Sequence, residues 1–310
     1  MISRRNIRIK VFQTIYGLQQ QNPEFSAEEA VAQFNRKLDD TSALLAAVVH
    51  LLCQLCEYSV IQAQKRASKM MPTAEDLQAS TKLAGNLLVE NLRKNPSLSE
   101  VLKANKLGGL FEDEFLRKLF VALSDTPEYK AYVLPPERSA QEEKAILELM
   151  LKDFIFENET ASGLLEERFL NWTTDAEMIA TWTDKMLQTA ARFHFRQILS
   201  AEKTRFAHDL LTTYVERKEV VFNLIRPKLV NWDAERVAAV DLILLHLGIC
   251  ELLYFPTIPV KVTINEYIDL AKAYSTLQSG QFVNGLLDNV RKELMAENRI
   301  VKQDAGSAGE

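Results

Sequence analysis

The chain has 310 residues, of which 47% are hydrophobic and 25% charged, and its formal net charge is −5 at pH 7. These values are typical of globular proteins and exclude a wholly disordered chain. The 10 glycines and 9 prolines are about half the usual share, which leaves few turns for a β-sandwich or barrel and favours long helices. Three cysteines cannot complete a disulfide framework and indicate reduced thiols in a cytoplasmic protein.

The N-terminal half reads as a series of helices. Apolar residues with a 3.6-residue period predict a first helix over residues 4–20. The run Ser26-Ala-Glu-Glu29 is a capping box, so a second helix should begin there. Further helices are predicted at 41–66, 75–94 and 111–123, and 125–136 is the longest stretch predicted to be irregular.

The C-terminal half is predicted to be helical as well. Helices are expected at 139–156, 175–199, 202–225, 234–254, 263–275 and 281–297. The helix at 234–254 is hydrophobic nearly all round, which is typical of a buried central helix. A second capping box, Thr263-Ile-Asn-Glu266, places the start of the helix that follows it. The small, polar tail 303–310 is expected to be disordered, and the predicted fold class is all-α.

Few residues suggest catalysis or metal binding. His50, Cys53 and Cys56 have a spacing that could converge on a metal, but no fourth ligand lies nearby and their apolar neighbours favour a core position. The sequence has no glycine-rich phosphate loop, no nucleophile elbow and no His-Glu-x-x-His motif. We therefore expect no catalytic residue, no metal, no cofactor and no enzymatic activity. No uninterrupted apolar run reaches the ~20 residues of a membrane span, so no membrane partner is expected.

The clearest functional signal is local positive charge. Arg4, Arg5, Arg8 and Lys10 stand in the first 23 residues without an acid among them, and 192–228 also has a basic excess. Cations at a helix N-terminus oppose the macrodipole, whereas a phosphate-bearing partner would make them favourable because guanidinium pairs with phosphate. A solvated helix start remains the alternative interpretation. The pattern predicts a nucleic-acid-binding patch on a globally acidic protein.

Two long motifs near the C-terminus resemble those of NusB-type transcription antitermination factors. They are Ile258-Pro-Val-Lys-Val-Thr-Ile-Asn-Glu-Tyr-Ile-Asp-Leu-Ala-Lys272 and Phe282-Val-Asn-Gly-Leu-Leu-Asp288. Upstream, Phe206-Ala-His-Asp-Leu-Leu211 is similar to the helix that opens the family's C-terminal half, and Arg4-Arg-Asn-Ile-Arg8 with Gln13 and Tyr16 matches its first helix. The resemblance covers residues 206–296 and the first helix, about a third of the chain.

The resemblance implies a fold, a function and a set of partners. NusB proteins are all-helical, bind boxA-type RNA, pair with the small-subunit ribosomal protein that serves as NusE, and join an RNA polymerase antitermination complex during ribosomal RNA synthesis. By the resemblance, Asp241 would lie near the RNA or protein-partner surface, and we assign it to partner binding. The residues expected to contact RNA are Arg4, Arg5, Arg8, Gln13, Gln281 and Phe282.

The chain also departs from the family pattern. Bulky residues occupy 9–12, and His246 stands where the family often has arginine. The largest departure is a helical insertion at 25–195, so we predict an N-terminal region 1–195, a NusB-like domain 196–302 and the tail. A protein-interaction scaffold that has lost RNA binding is one alternative. A module related to ribosomal RNA cytosine methyltransferases is another, although the sequence shows no glycine-rich cofactor loop.

Overall fold

A computed structural model describes residues 2–229, 238–276 and 278–302, and every regular element in those ranges is helical, as predicted. In the first part of the chain the α-helices are α1 (Arg4–Gln21), α2 (Ala27–Ala67), α3 (Ala74–Leu77), α4 (Leu87–Arg93), α5 (Pro96–Ala104), α6 (Asp113–Asp125), α7 (Pro127–Val133) and α8 (Ala140–Leu149). A π-helical segment, Met150–Phe156, continues α8.

The remaining helices follow in the same alternation of helix and short turn. They are α9 (Glu159–Arg168), α10 (Trp172–Gln188), α11 (Ala201–Glu216), α12 (Lys218–Ile225), α13 (Ala239–Tyr254), α14 (Val260–Tyr274) and α15 (Ser279–Ala296), with short 3₁₀ turns at Ala190–Arg192 and Arg226–Lys228. The predicted tail 303–310 and the first residues of the helix predicted at 234–254 lie outside the described residues.

The chain folds as two compact units. The insertion unit comprises Leu38–Ile198, and the terminal unit combines Ile2–Lys37 with the described residues from Leu199 onward. The sequence prediction placed the first helix in a region with the insertion, whereas the structure groups α1 with the C-terminal helices. The reason is the apolar stripe of α1, formed by Ile7, Val11 and Ile15, which is fully buried as α1 packs on α11 and α13.

Helix α2 is one continuous helix of 41 residues where two were predicted. Its start agrees with the predicted capping box, since Ser26 Oγ accepts from Glu29 N and Glu29 Oε2 accepts from Ser26 N. No glycine or proline interrupts it, so nothing breaks the helix between the two predicted segments. By length and composition alone α2 could span a membrane, but most of its apolar window is buried inside the protein.

Other predicted boundaries also differ from the structure. Residues 75–94 hold two short helices, α3 and α4, because Asn86 caps the second of them by accepting from Leu88 N and Val89 N. Helix α7 forms within the predicted irregular stretch, since Thr126 is its N-cap and Pro127 occupies its first position. Residues 202–225 form two helices, α11 and α12.

The predicted capping box at Thr263 is wrong. Helix α14 begins three residues earlier, at Val260, directly after Pro259. The Thr263 hydroxyl points into the core, where it donates to Glu251 Oε1 at 2.8 Å. The apolar residues Val260 and Val262 therefore belong to the helix, and Asn265 lies in its second turn rather than at its start.

All three cysteines are buried and reduced. Burial raises the pKa of Cys53 to about 12, and it raises the pKa of the Cys56 and Cys250 thiols well above the ordinary value. His50 is partly buried beside Gly108. These positions agree with the interpretation of the His50–Cys56 pattern as part of a helical core.

Candidate nucleic-acid interface

The predicted RNA-binding arginines lie on the first two turns of α1, in the terminal unit. Ser3 caps the helix through its hydroxyl, which accepts from Asn6 N. Arg4 is exposed and Arg5 is partly exposed. These two side chains therefore stay within reach of a ligand in solution.

Arg8 is placed differently, and the prediction that it faces RNA is corrected here. Its side chain is buried, with 1% of the residue exposed. Its Nε donates to Glu251 Oε2 at 2.8 Å and its Nη2 to Glu251 Oε1 at 2.7 Å. Burial by itself lowers the pKa of the Arg8 guanidinium, but the hydrogen bonds and charge of Glu251 outweigh it and raise the pKa above its usual value. Arg8 thus ties α1 to α13 inside the unit and is not available to a phosphate.

Glu251 is the centre of this buried network. Besides Arg8, its carboxylate accepts from the Thr263 hydroxyl and from the Tyr267 hydroxyl at 3.3 Å, both on α14. At the C-terminal end of α13, Lys302 Nζ donates to the carbonyls of Glu251 and Phe255 at 2.9 Å. Because charged groups are buried here with several partners each, the network fixes α1, α13 and α14 together.

Acidic side chains from other helices accompany the exposed arginines. Arg4 Nη2 lies 2.6 Å from Glu202 Oε1 on α11. Arg5 Nη1 lies 3.7 Å from Glu266 Oε2 and 3.6 Å from Asp269 Oδ2 on α14, both beyond hydrogen-bond distance. The positive charge seen in the first 23 residues is therefore largely balanced in the folded protein.

A groove of about 650 Å³ runs between α14 and α15. Its lining residues are Asn265, Ile268, Asp269, Lys272, Gly280, Gln281 and Asn284. Asp269 joins the two features, since it lines the groove and also lies within 4 Å of Arg5. Asp269 thus connects Arg5 on α1 with the groove that the predicted RNA residue Gln281 lines.

The other residues that were predicted to contact RNA differ in how deeply they are buried. Gln281 is exposed in the groove and Gln13 is partly exposed on α1. Phe282 is buried, with 8% exposed, so its ring packs in the core and its assignment to an RNA-contacting surface is corrected. Tyr16 is the exposed aromatic residue of this helix at 39%, whereas Phe12 packs against Tyr274 with 5.4 Å between ring centroids.

Asp241, predicted to bind a partner, lies in the interior. It is 5% exposed, and its Oδ2 accepts from the Ser279 hydroxyl at 2.8 Å. Ser279 is the first residue of α15, so Asp241 holds the start of α15 against α13. A protein partner would not reach this carboxylate, and the prediction is corrected for that reason.

His246, which replaces the arginine common in the family, is a core residue. It is 6% exposed and its ring lies on Tyr214, with 4.2 Å between centroids. Burial, aided by the positive charge of Lys218, lowers the pKa of His246 to about 3. The imidazole is therefore neutral at pH 7 and adds no positive charge to the unit.

Several groove residues escaped the sequence analysis. Asn265, Asp269 and Lys272 have the i, i+4, i+7 spacing of one helix face, but the predicted start of α14 at Thr263 put Asn265 at the very beginning of the helix. Asn284 was read only as part of a motif. A helix drawn from Val260 would have shown the three α14 side chains on one exposed face.

Gly285 is exposed on α15 next to this groove, and a Cβ built on it meets nothing within 4 Å. The glycine is therefore not required by packing inside the protein. We expect Gly285→Ala to raise the free energy of unfolding by about 1 kcal/mol, because alanine has the higher helix propensity. Urea unfolding followed by circular dichroism measures this. A loss of stability would show that the backbone at Gly285 is constrained.

Comparison with known proteins identifies the relatives. A family model described as the NusB family matches residues 169–292. The chain is 47% identical over 83 residues to the transcription antitermination protein NusB of Methylacidiphilum infernorum (isolate V4), which is 27% of this chain and 58% of that protein. It is 37% identical over 98 residues to the NusB protein of Thermodesulfovibrio yellowstonii, covering 32% of this chain and 65% of the relative.

The match covers a larger share of a third relative. The chain is 39% identical over 93 residues to the NusB protein of Bacillus thuringiensis (strain Al Hakam), which is 30% of this chain and 72% of that protein. The matches thus span less than two thirds of the first two relatives and more than two thirds of the third. No solved structure matches the chain. The extent and identity of these matches show that the chain belongs to the NusB family.

Proposed function

We propose that this protein is a non-catalytic, cytoplasmic RNA-binding factor that acts in transcription antitermination. Its ligand would be a boxA-like single-stranded RNA, bound together with a ribosomal protein that serves as NusE, within an RNA polymerase complex that transcribes ribosomal RNA. The family membership supports the general role. The RNA sequence and the protein partners are carried over from the resemblance of the motifs.

One structural observation supports the assignment of RNA binding to particular residues. Arg4 and Arg5 lie on the first turn of α1, and Arg5 is 3.6 Å from Asp269, a lining residue of the groove that presents Lys272 and the side-chain amides of Gln281 and Asn284. Guanidinium and ammonium groups bind phosphate, and side-chain amides donate to and accept from base edges. Tyr16 adds an exposed ring on the same helix, and bases of single-stranded RNA stack on such rings.

The test removes two of these cations. Arg5→Ala with Lys272→Ala should weaken binding of a boxA-like RNA by about tenfold or more at low salt, because each cation neutralises phosphate charge. The slope of log K against log salt should become shallower by about one for each cation removed. Fluorescence anisotropy over a salt series measures both quantities.

A matched control is available in the same unit. Arg299 is exposed and pairs with Glu297 at 3.0 Å, as the exposed Arg4 pairs with Glu202. Arg299→Ala should leave RNA affinity within about twofold, since it lies away from the lining of the groove. Equal affinities for the wild type, the double variant and this control would contradict the placement of the RNA site.

A second candidate is a protein scaffold that does not bind RNA. The observation that favours it is the set of carboxylates around the arginines, because Glu202, Glu266 and Asp269 oppose an approaching phosphate. Incubation of the purified protein with the ribosomal protein and labelled boxA-like RNA separates the two functions. A complex of the two proteins that excludes RNA at low salt would support the scaffold.

A further inference from the structure

Asp269 stands between two cations of the candidate RNA site. Its Oδ2 lies 3.6 Å from Arg5 Nη1 and its Oδ1 lies 3.8 Å from Lys272 Nζ. Both distances exceed hydrogen-bond length, so the carboxylate acts on these cations through its charge. The side chain is 52% exposed and lines the groove. A phosphate that approaches Arg5 or Lys272 therefore meets this negative charge.

The stability of the helix does not explain an aspartate at this position. Aspartate has low intrinsic helix propensity. Asp269 also lies in the C-terminal half of α14 (Val260–Tyr274), where the macrodipole does not stabilise a negative charge. Its i, i+3 pair with Lys272 is exposed, and such pairs add little.

The neighbouring acids have other roles. Glu266 is less exposed than Asp269, and its Oε2 is also 3.6 Å from the buried Arg8, so its charge serves the interior network. Within the described part of the chain, Glu202 makes its close pair with Arg4. Asp269 is thus the acid that both lines the groove and lies within 4 Å of two accessible cations.

Resting on the proposed function, we propose that Asp269 limits sequence-independent RNA binding by neutralising Arg5 and Lys272. Phosphates are common to every RNA, so a carboxylate beside the phosphate-binding cations weakens most the complexes that are held by phosphate contacts alone. An RNA with further contacts, such as base contacts to Gln281 or Asn284, still binds. Asp269 therefore raises the selectivity of the site by lowering its background affinity.

The experiment uses Asp269→Asn, which keeps the shape of the side chain and removes its charge. Binding of the full chain to a 12-nucleotide oligouridylate and to a boxA-like RNA is measured by fluorescence anisotropy across a salt series. We expect the affinity for oligouridylate to rise about fivefold and the slope of log K against log salt to steepen by about one. The affinity for the boxA-like RNA should rise less, so that the ratio of the two affinities falls.

Two further variants separate this role from general effects. Glu297→Gln removes one negative charge from the ion pair with Arg299 and should leave both affinities unchanged. In a chain that already carries Arg5→Ala, Asp269→Asn should raise the affinity for oligouridylate by less than half of the rise seen without Arg5→Ala. The reason is that one of the two cations next to Asp269 is gone. A purely structural role would not depend on Arg5.

The outcomes are distinct. If the wild type binds RNA and Asp269→Asn binds both RNAs as the wild type does, the inference is overturned while the proposed function stands. A rise of equal size in Glu297→Gln would also overturn it, because net charge alone would explain the change. If neither the wild type nor Asp269→Asn binds either RNA at low salt, the proposed function fails, and this inference fails with it.

Discussion

Arg8→Met is expected to lower the free energy of unfolding of the terminal unit by about 3 to 5 kcal/mol, the range measured for breaking buried ion pairs. The variant keeps the apolar stem but leaves the Glu251 carboxylate, which is fully buried, without its cation. Thr263 and Tyr267 still donate to that carboxylate, yet two neutral donors do not replace a bidentate guanidinium. Urea unfolding followed by circular dichroism gives the difference.

One further variant serves as a control for Arg8→Met, and a second substitution should restore the stability that it loses. Arg4→Met breaks an exposed pair with Glu202 and should change stability by no more than about 1 kcal/mol. Adding Glu251→Leu to Arg8→Met should restore much of the lost stability, because the unpaired buried charge is then removed. If Arg8→Met is no more damaging than Arg4→Met, the buried ion pair of Arg8 with Glu251 does not stabilise the unit.

The second large effect is a loss of folding stability at acidic pH. The folded-state pKa of His246, about 3, lies below the 6.5 of an unfolded chain. The folded protein therefore binds this proton less readily than the unfolded chain does. Stability from the neutral imidazole is fully present above about pH 6.5 and is lost as the pH falls toward 3, by up to about 4 kcal/mol.

His246→Phe keeps an aromatic ring against Tyr214 and removes the titration. We expect its stability to change less between pH 7 and pH 4 than that of the wild type, with a similar value at pH 7. His194 is exposed, so His194→Gln serves as the control and should follow the wild type. The measurement is thermal or urea unfolding at a series of pH values. Parallel curves for the wild type and His246→Phe would contradict the buried neutral histidine.

Most of the fold follows from features that act over short distances. The 3.6-residue period predicted α1, α6 and α15 within a few residues, and the local hydrogen bonds of Ser26 and Glu29 set the start of α2. One error arose where a side chain bonds outside its own helix. Thr263 has the sequence of a cap, but its hydroxyl bonds to Glu251 twelve residues away.

The candidate site was predicted less completely for the same physical reason. The first 23 residues hold four cations and no acid, and from sequence alone the cluster looked unpaired. The folded chain brings to these cations the carboxylates of Glu202, Glu251, Glu266 and Asp269, from helices more than 190 residues away. Burial of Arg8, Phe282 and Asp241 likewise depends on which helices pack together, and periodicity does not specify that.

The inaccessible cysteines also offer a practical route to spectroscopy. Maleimide reagents attack exposed thiolates, whereas Cys53, Cys56 and Cys250 are buried with raised pKa values. The natural chain is therefore a suitable background for attaching one fluorophore to a new surface thiol, without first removing its own. Tyr16→Cys on α1 would place such a dye on an exposed position of the helix to which we assign RNA binding.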